Sequence, residues 1–192
     1  MSVKSKVSNV ALEVLDMIRT VIICVICVFI CTTVLFKPVR VEGDSMKPTL
    51  LDGEYGLSNV FSVLNGDINR FDVVVVKSKN DDNLWVKRVI GLPNETIEYR
   101  EGKLYIDGAY VEETFLDEAY VLEMTNGNAD LFTADFGPIK VGENQVFLVG
   151  DNRGVSLDSR MVGCFEMKSL VSKSVFIYYP FNKMRVVSNG TK

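Results

Sequence analysis

Ser45 lies in the segment Gly43-Asp44-Ser45-Met46-Lys47-Pro48-Thr49-Leu50, nine residues beyond the end of an apolar run. A serine hydroxyl is a latent nucleophile that needs a general base. The chain of 192 residues contains no histidine, which excludes Ser-His-Asp and Cys-His arrangements. Lysine is the remaining nitrogen base that burial tunes toward neutral pH, and Lys87 is the best candidate. In an extended strand Trp85 and Lys87 share a face while Val86 takes the other. The Trp85 ring then covers the lysine stem, and desolvation lowers the ammonium pKa toward the working range. The bland alternatives are an ordinary turn serine and a strand lysine that snorkels to solvent. A third segment, from Gly150 to Arg160, is dense in polar groups. Asp158 and Arg160 there form a candidate ion pair, and Ser156 and Ser159 supply hydroxyls. As a bare loop it reads as a solvated turn.

The elements around these residues fall into two kinds. Residues 17–36 hold one charge, Arg19, in 20 positions. At about 1.5 Å per helical residue such a run spans a hydrocarbon core of ~30 Å. It lacks the polar face of a core helix. It also lacks the small-x-small cleavage site of a signal peptide, since no alanine occurs between Ala11 and Ala109. The expectation is an uncleaved membrane anchor, preceded by a short tail, residues 1–16. Basic residues flank the run almost equally, Lys4, Lys6 and Arg19 before and Lys37 and Arg40 after, so charge alone leaves orientation open. Three of the four cysteines lie inside the run, so no disulfide closes within the remainder. A catalytic Cys164 would need a histidine partner, so it reads as a small core residue or an inert thiol.

Beyond the run, short β-like segments alternate with turn signals, which predicts a mainly β domain over residues 37–192. Phe71 to Val76 reads as a strand buried on both faces, and Leu84 to Ile90 as its hairpin partner across a polar turn at Asn80 to Asn83. Lys103 to Ile106, Val146 to Val149 and Val171 to Tyr179 are further strands. Glu101-Gly102 and Asp107-Gly108 mark tight turns, and Ser188 to Lys192 read as a frayed tail. Residues 95–135 carry 11 acids against Arg100 and Lys103, a stretch that reads as solvated surface. No basic patch suggests nucleic acid.

Taken in order, Ser-Met-x-Pro-Thr-Leu (Ser45 onward), Lys-Arg-Val-Ile-Gly-Leu-Pro (Lys87 onward) and Gly-Asp-Asn-Arg-x-x-Ser-x-Asp-Ser-Arg (Gly150 onward) closely resemble the bacterial type I signal peptidases, peptidase family S26. Asp72-Val73-Val74-Val75 resembles a fourth motif of that family. The resemblance implies a membrane-anchored serine endopeptidase with Ser45 as nucleophile and Lys87 as general base, needing no metal or cofactor. It implies that Ser156 orients the lysine and that Asp151, Arg153, Asp158 and Arg160 form a polar network shaping the site. Substrate pockets fall near Val41, Met46, Leu50, Val75 and Val86. The implied fold is an antiparallel β catalytic domain with a small β subdomain inserted at about residues 95–140. The implied substrates are secretory pre-proteins cut after small-x-small sequences, with the tail cytoplasmic and the domain outside a bacterial cell membrane. Three positions depart from the family pattern. Gly43 stands where some relatives carry an oxyanion-binding serine, while Arg70-Phe71-Asp72 and Asn94-Glu95 each replace a Gly-Asp turn. Other readings are self-cleaving repressors, which share a Ser-Lys dyad but need a soluble DNA-binding domain, and a non-enzymatic anchored β domain, which needs no buried lysine.

Overall fold

A computed structural model describes residues 3–30, 35–66, 68–79 and 83–187. The turn expected at 80–82, the tail expected at 188–192 and positions 31–34 of the apolar run lie outside the described residues.

Helix α1 spans Val3–Ile30, so it runs through the segment expected as a tail. From Leu12 to Ile30 every side chain is exposed, and 13 of them are large and apolar. Among the described residues, no helix is long and apolar enough to cross a membrane.

The rest is built from antiparallel strands. Strands β1 (Phe36–Arg40), β2 (Tyr55–Asn59), β3 (Val73–Lys77) and β4 (Leu84–Gly91) precede an insertion. After it come β9 (Gln145–Val149), β10 (Phe165–Glu166), β11 (Leu170–Tyr179) and β12 (Arg185–Val187). These form one curled sheet in the order β1-β2-β11-β3-β4-β9-β10, with β12 also on β11. The valine run of β3 is buried throughout, as a strand with apolar contacts on both faces must be. Val73 joins Val175 and Ile177 on one face, while Val74 and Val76 join Val89, Leu148 and Phe165 on the other. β3 and β4 pair with Val74 opposite Lys87 and Val75 opposite Val86, as the hairpin reading predicts.

The insertion forms its own sheet. β5 (Thr96–Arg100), β6 (Lys103–Ile106), β7 (Ala109–Val111) and β8 (Phe136–Lys140) lie in the order β7-β6-β5-β8. The turns at Glu101-Gly102 and Asp107-Gly108 adopt positive φ at both residues, the backbone a two-residue hairpin requires. A short helix, α3 (Glu118–Met124), follows β7, while α2 (Phe61–Leu64) and α4 (Ser159–Val162) sit on the large sheet's connections. Ile97, Tyr99, Leu104 and Ile106 pack with Ile90 and Phe147 in a core shared by both sheets. Gly91 stands where the chain leaves the large sheet. A Cβ there would lie 2.6 Å from Ile97 Cδ1 and 3.0 Å from Phe147 Cβ, so only glycine lets the two sheets approach.

Candidate active site

Ser45 sits on the turn after β1, where the Leu50 N–H donates to Met46 O at 2.9 Å. This is an irregular loop rather than a strand-to-helix elbow, in keeping with Pro48. One residue of the Gly150–Arg160 loop, Asn152, holds it through two hydrogen bonds. The Asn152 backbone N–H donates to Ser45 O at 3.0 Å, and its side-chain amide donates to Asp44 O at 3.1 Å.

Lys87 reaches the serine from β4. Its Nζ donates to Ser45 Oγ at 2.8 Å, and the residue is only 4% exposed. The Nζ lies 5.6 Å from the centre of the Trp85 ring, which leans on Phe165 behind it. Burial lowers the Lys87 pKa from 10.5 to about 8. Asp158 and Asp151 oppose that fall without cancelling it.

The polar loop is buried, not solvated. Asp151 receives Arg88 in a two-pronged pair, Nε at 2.8 Å and Nη2 at 2.6 Å, and also accepts from Thr49. Asp158 caps α4 and accepts from Arg160 Nε at 2.9 Å, Arg160 Nη2 at 2.8 Å and the Gly150 N–H at 3.0 Å. Burial alone would raise its pKa, but the Arg160 hydrogen bonds and charge outweigh that and lower it. Arg160 also donates to Arg153 O, tying the loop to itself. Arg153 points the other way, into the insertion. There it meets Glu113 at 2.6 Å, Tyr99 at 3.0 Å and Thr133 at 2.8 Å. Burial works against its charge, yet Glu113 and its neighbours hold the guanidinium even more firmly protonated than usual.

Beside this network lies a cleft of about 870 Å³ with Ser45 and Lys87 in its lining. Val41, Met46 and Val86 line it as expected. Leu50 and Val75 do not reach it. Leu50 packs in the core with Val73 and Val175, and Val75 lies on β3, whose valines are covered on both faces. Ser156 lies against Gly150, where a Cβ would meet its Oγ at 2.1 Å and Ser45 O at 2.5 Å. Its hydroxyl is buried and has no hydrogen-bond partner among the described residues, so it makes no direct bond to Lys87. Gly43 has φ of +83° and donates its N–H to Asp52 at 2.8 Å. None of the hydrogen bonds among the described residues engages the Ser45 N–H.

The signal peptidase family, peptidase S26, matches residues 14–179. The chain belongs to that family. It is 39% identical over 184 residues to signal peptidase I P of Bacillus subtilis subsp. natto, covering 95% of this chain and 96% of the relative. It is 39% identical over 174 residues to signal peptidase I S of Bacillus subtilis strain 168, covering 90% and 93%. Among solved structures, a signal peptidase I of Enterococcus faecalis V583 is 35% identical with a TM-score of 0.49, covering 55% of this chain and 95% of that one. The chain is therefore a serine endopeptidase of the signal peptidase I type, and its family removes signal peptides from secretory pre-proteins.

Several residues of this signal peptidase site escaped the sequence reading. Arg88 and Asn152 lay inside the quoted motifs, so their neighbours signalled them. Thr49 belonged to the Ser45 motif as well. Glu113, Tyr99 and Thr133 carried no local signal, because only the fold brings the insertion against Arg153. Glu113 is also an exception to the solvated reading of residues 95–135, since its side chain is 8% exposed.

Proposed function

We propose that this signal peptidase cleaves with a Ser45–Lys87 dyad and is held at a membrane by its N-terminal helix. The observation that carries the reading is a buried lysine amine 2.8 Å from a serine hydroxyl in the lining of an open cleft. Neutral Lys87 takes the Ser45 proton as Oγ attacks the carbonyl carbon. The developing oxyanion is met by the uncommitted Ser45 N–H, since Gly43 has no side chain to offer. Protonated Lys87 then gives its proton to the leaving amine as the C–N bond breaks. Water enters, Lys87 accepts its proton, and attack on the ester carbon frees the acid and restores the Ser45 hydroxyl as Lys87 returns the proton. No step calls for a metal or cofactor. Ser156, packed between Gly150 and the Ser45 turn, fixes the space in which Lys87 moves. Asp151, Arg153, Asp158 and Arg160 keep that loop rigid.

Helix α1 supports anchoring. From Leu12 to Ile30 its side chains are exposed and mostly apolar, a surface that lipid would suit. In sequence the apolar run extends to residue 36. Ser45 follows within nine residues, at most ~30 Å of chain, so the site works close to the bilayer. The family likeness supports a cytoplasmic tail, a single pass and an extracytoplasmic catalytic domain.

Val41, Met46 and Val86 support shallow apolar pockets that accept a methyl group and exclude larger ones. An extended substrate presents alternate side chains to one wall. The pockets then read the first and third residues before the bond and leave the middle residue nearly free. The experiment is cleavage of a signal-peptide substrate by the purified protein, with one substrate position varied at a time. Ser45→Ala and Lys87→Ala abolish turnover with the fold intact, and Lys87→Arg also fails because guanidinium stays protonated. Substantial cleavage by folded Lys87→Ala overturns the dyad. Equal cleavage with leucine or lysine just before the bond overturns the pocket reading.

A further inference from the structure

A second groove, of about 400 Å³, opens between the start of β8 and the loop that follows Arg153. Val155 and Leu157 line both this groove and the Ser45 cleft, so the two cavities flank the same side chains. Phe136 at the head of β8 and Met161 on α4 supply further apolar lining. Val155 is 61% exposed, Leu157 44% and Met161 73%, an unusual concentration of open apolar surface beside a reactive serine. The two guanidiniums at the border are already committed, Arg153 to Glu113 and Arg160 to Asp158. The groove therefore offers shape and apolar contact rather than free charge. Ser156, 4% exposed and with no partner for its hydroxyl, also lines it.

We infer that this groove binds the substrate residues that follow the scissile bond, and that it favours apolar side chains there. The inference rests on Ser45 being the nucleophile. The walls at Val41 and Val86 take the residues before the bond, and an extended chain that has passed Ser45 must leave the cleft. The exit across Val155 and Leu157 keeps that chain on apolar surface and delivers it to Phe136 and Met161. Contact there holds the leaving segment in place while the C–N bond is broken, and releases it once the new amine departs.

The test compares two peptides with the same residues before the bond. One carries leucine at the second and third positions after it, the other aspartate. Burying one such side chain predicts kcat/KM about tenfold higher for the leucine peptide, expressed mainly in KM. Met161→Glu brings the ratio close to one, and Met161→Leu keeps it. A ratio of one in the unmodified protein, or one that Met161→Glu leaves intact, overturns the inference. So does a leucine preference that phospholipid vesicles abolish while Met161→Glu does not, since that assigns the groove to lipid. Ser45→Ala serves as the separate control. Cleavage that survives it defeats the catalytic reading, whereas a failed ratio with Ser45-dependent cleavage defeats the groove alone.

Discussion

On the dyad reading Lys87 acts as a neutral amine, and the protein keeps it where its charge is costly. Activity should therefore rise with pH along a limb centred near 8 and level off above it, which a pH series of kcat/KM reads directly. The same burial sets a stability trade. Because the folded pKa lies below the ordinary 10.5, the unfolded chain binds the extra proton more tightly between about 8 and 10.5. Below pH 8 the buried ammonium costs the fold about 3 kcal/mol, and above 10.5 the cost is gone. Lys87→Met should be inactive yet more stable than the parent at pH 6–7, with the gap closing as pH climbs to 10.5. Urea unfolding at several pH values checks this, and a pH-independent gap would refute it. The Asn152 side chain acts on the backbone of the serine turn. Asn152→Ala removes the hydrogen bond to Asp44 O and loosens the serine turn, so kcat should fall about tenfold or more with little change in KM. The pairing of Ser45 with Lys87 was legible because their types and the missing histidine narrowed the choice. The surroundings of the Ser156 hydroxyl were not, because hydrogen-bond direction is a property of packed coordinates.

At the level of elements, the loop after β9 behaves as a wedge whose thickness is fixed by Gly150. A Cβ at that residue would press into both Ser156 Oγ and Ser45 O, so Gly150→Ala should abolish most activity while the sheet still forms, by circular dichroism. A second pairing links two of the family departures. Arg70 and Glu95, far apart in the chain, meet at 2.5 Å and 2.9 Å with both side chains largely shielded. Phe71, at φ of +69°, takes a backbone position that favours glycine, and its ring packs 5.0 Å from Phe115. Phe115 in turn lies 4.0 Å from the Arg88 guanidinium that holds Asp151. What reads in sequence as two unrelated altered turns is in space one substitution set. A double-mutant cycle on Arg70→Ala and Glu95→Ala should show coupling of about 1–2 kcal/mol, and additive effects would dissolve the pairing. Strand positions were legible because β-branched runs and Gly-containing turns are local signals. This coupling was not, because it depends on which loops the fold brings together.

For the whole molecule, the insertion is more than a passenger. Strand 103–106 and its turns were foreseeable from local signals and the inserted subdomain from the family resemblance, but its grip on the site passes through the buried set of Arg153, Glu113, Tyr99 and Thr133. Glu113→Ala leaves a fully buried guanidinium short of its carboxylate, a change that typically costs about 3–5 kcal/mol. The midpoint of urea unfolding should fall accordingly. Activity should fall too, although Glu113 does not line the cleft. An unchanged midpoint would show that water replaces the carboxylate.

The sheet begins almost as soon as the helix is left behind. Leu35 O already accepts the Val60 N–H, and β1 pairs with β2 from Phe36 onward. On the anchored reading there is little slack between the bilayer and the serine, so the enzyme meets its substrates by sliding in a plane rather than by tumbling in a volume. Its working concentration is then a surface density, and a few inserted residues near position 34 would act like a change of altitude, carrying the scissors off the sheet of lipid where the pre-proteins present their bonds.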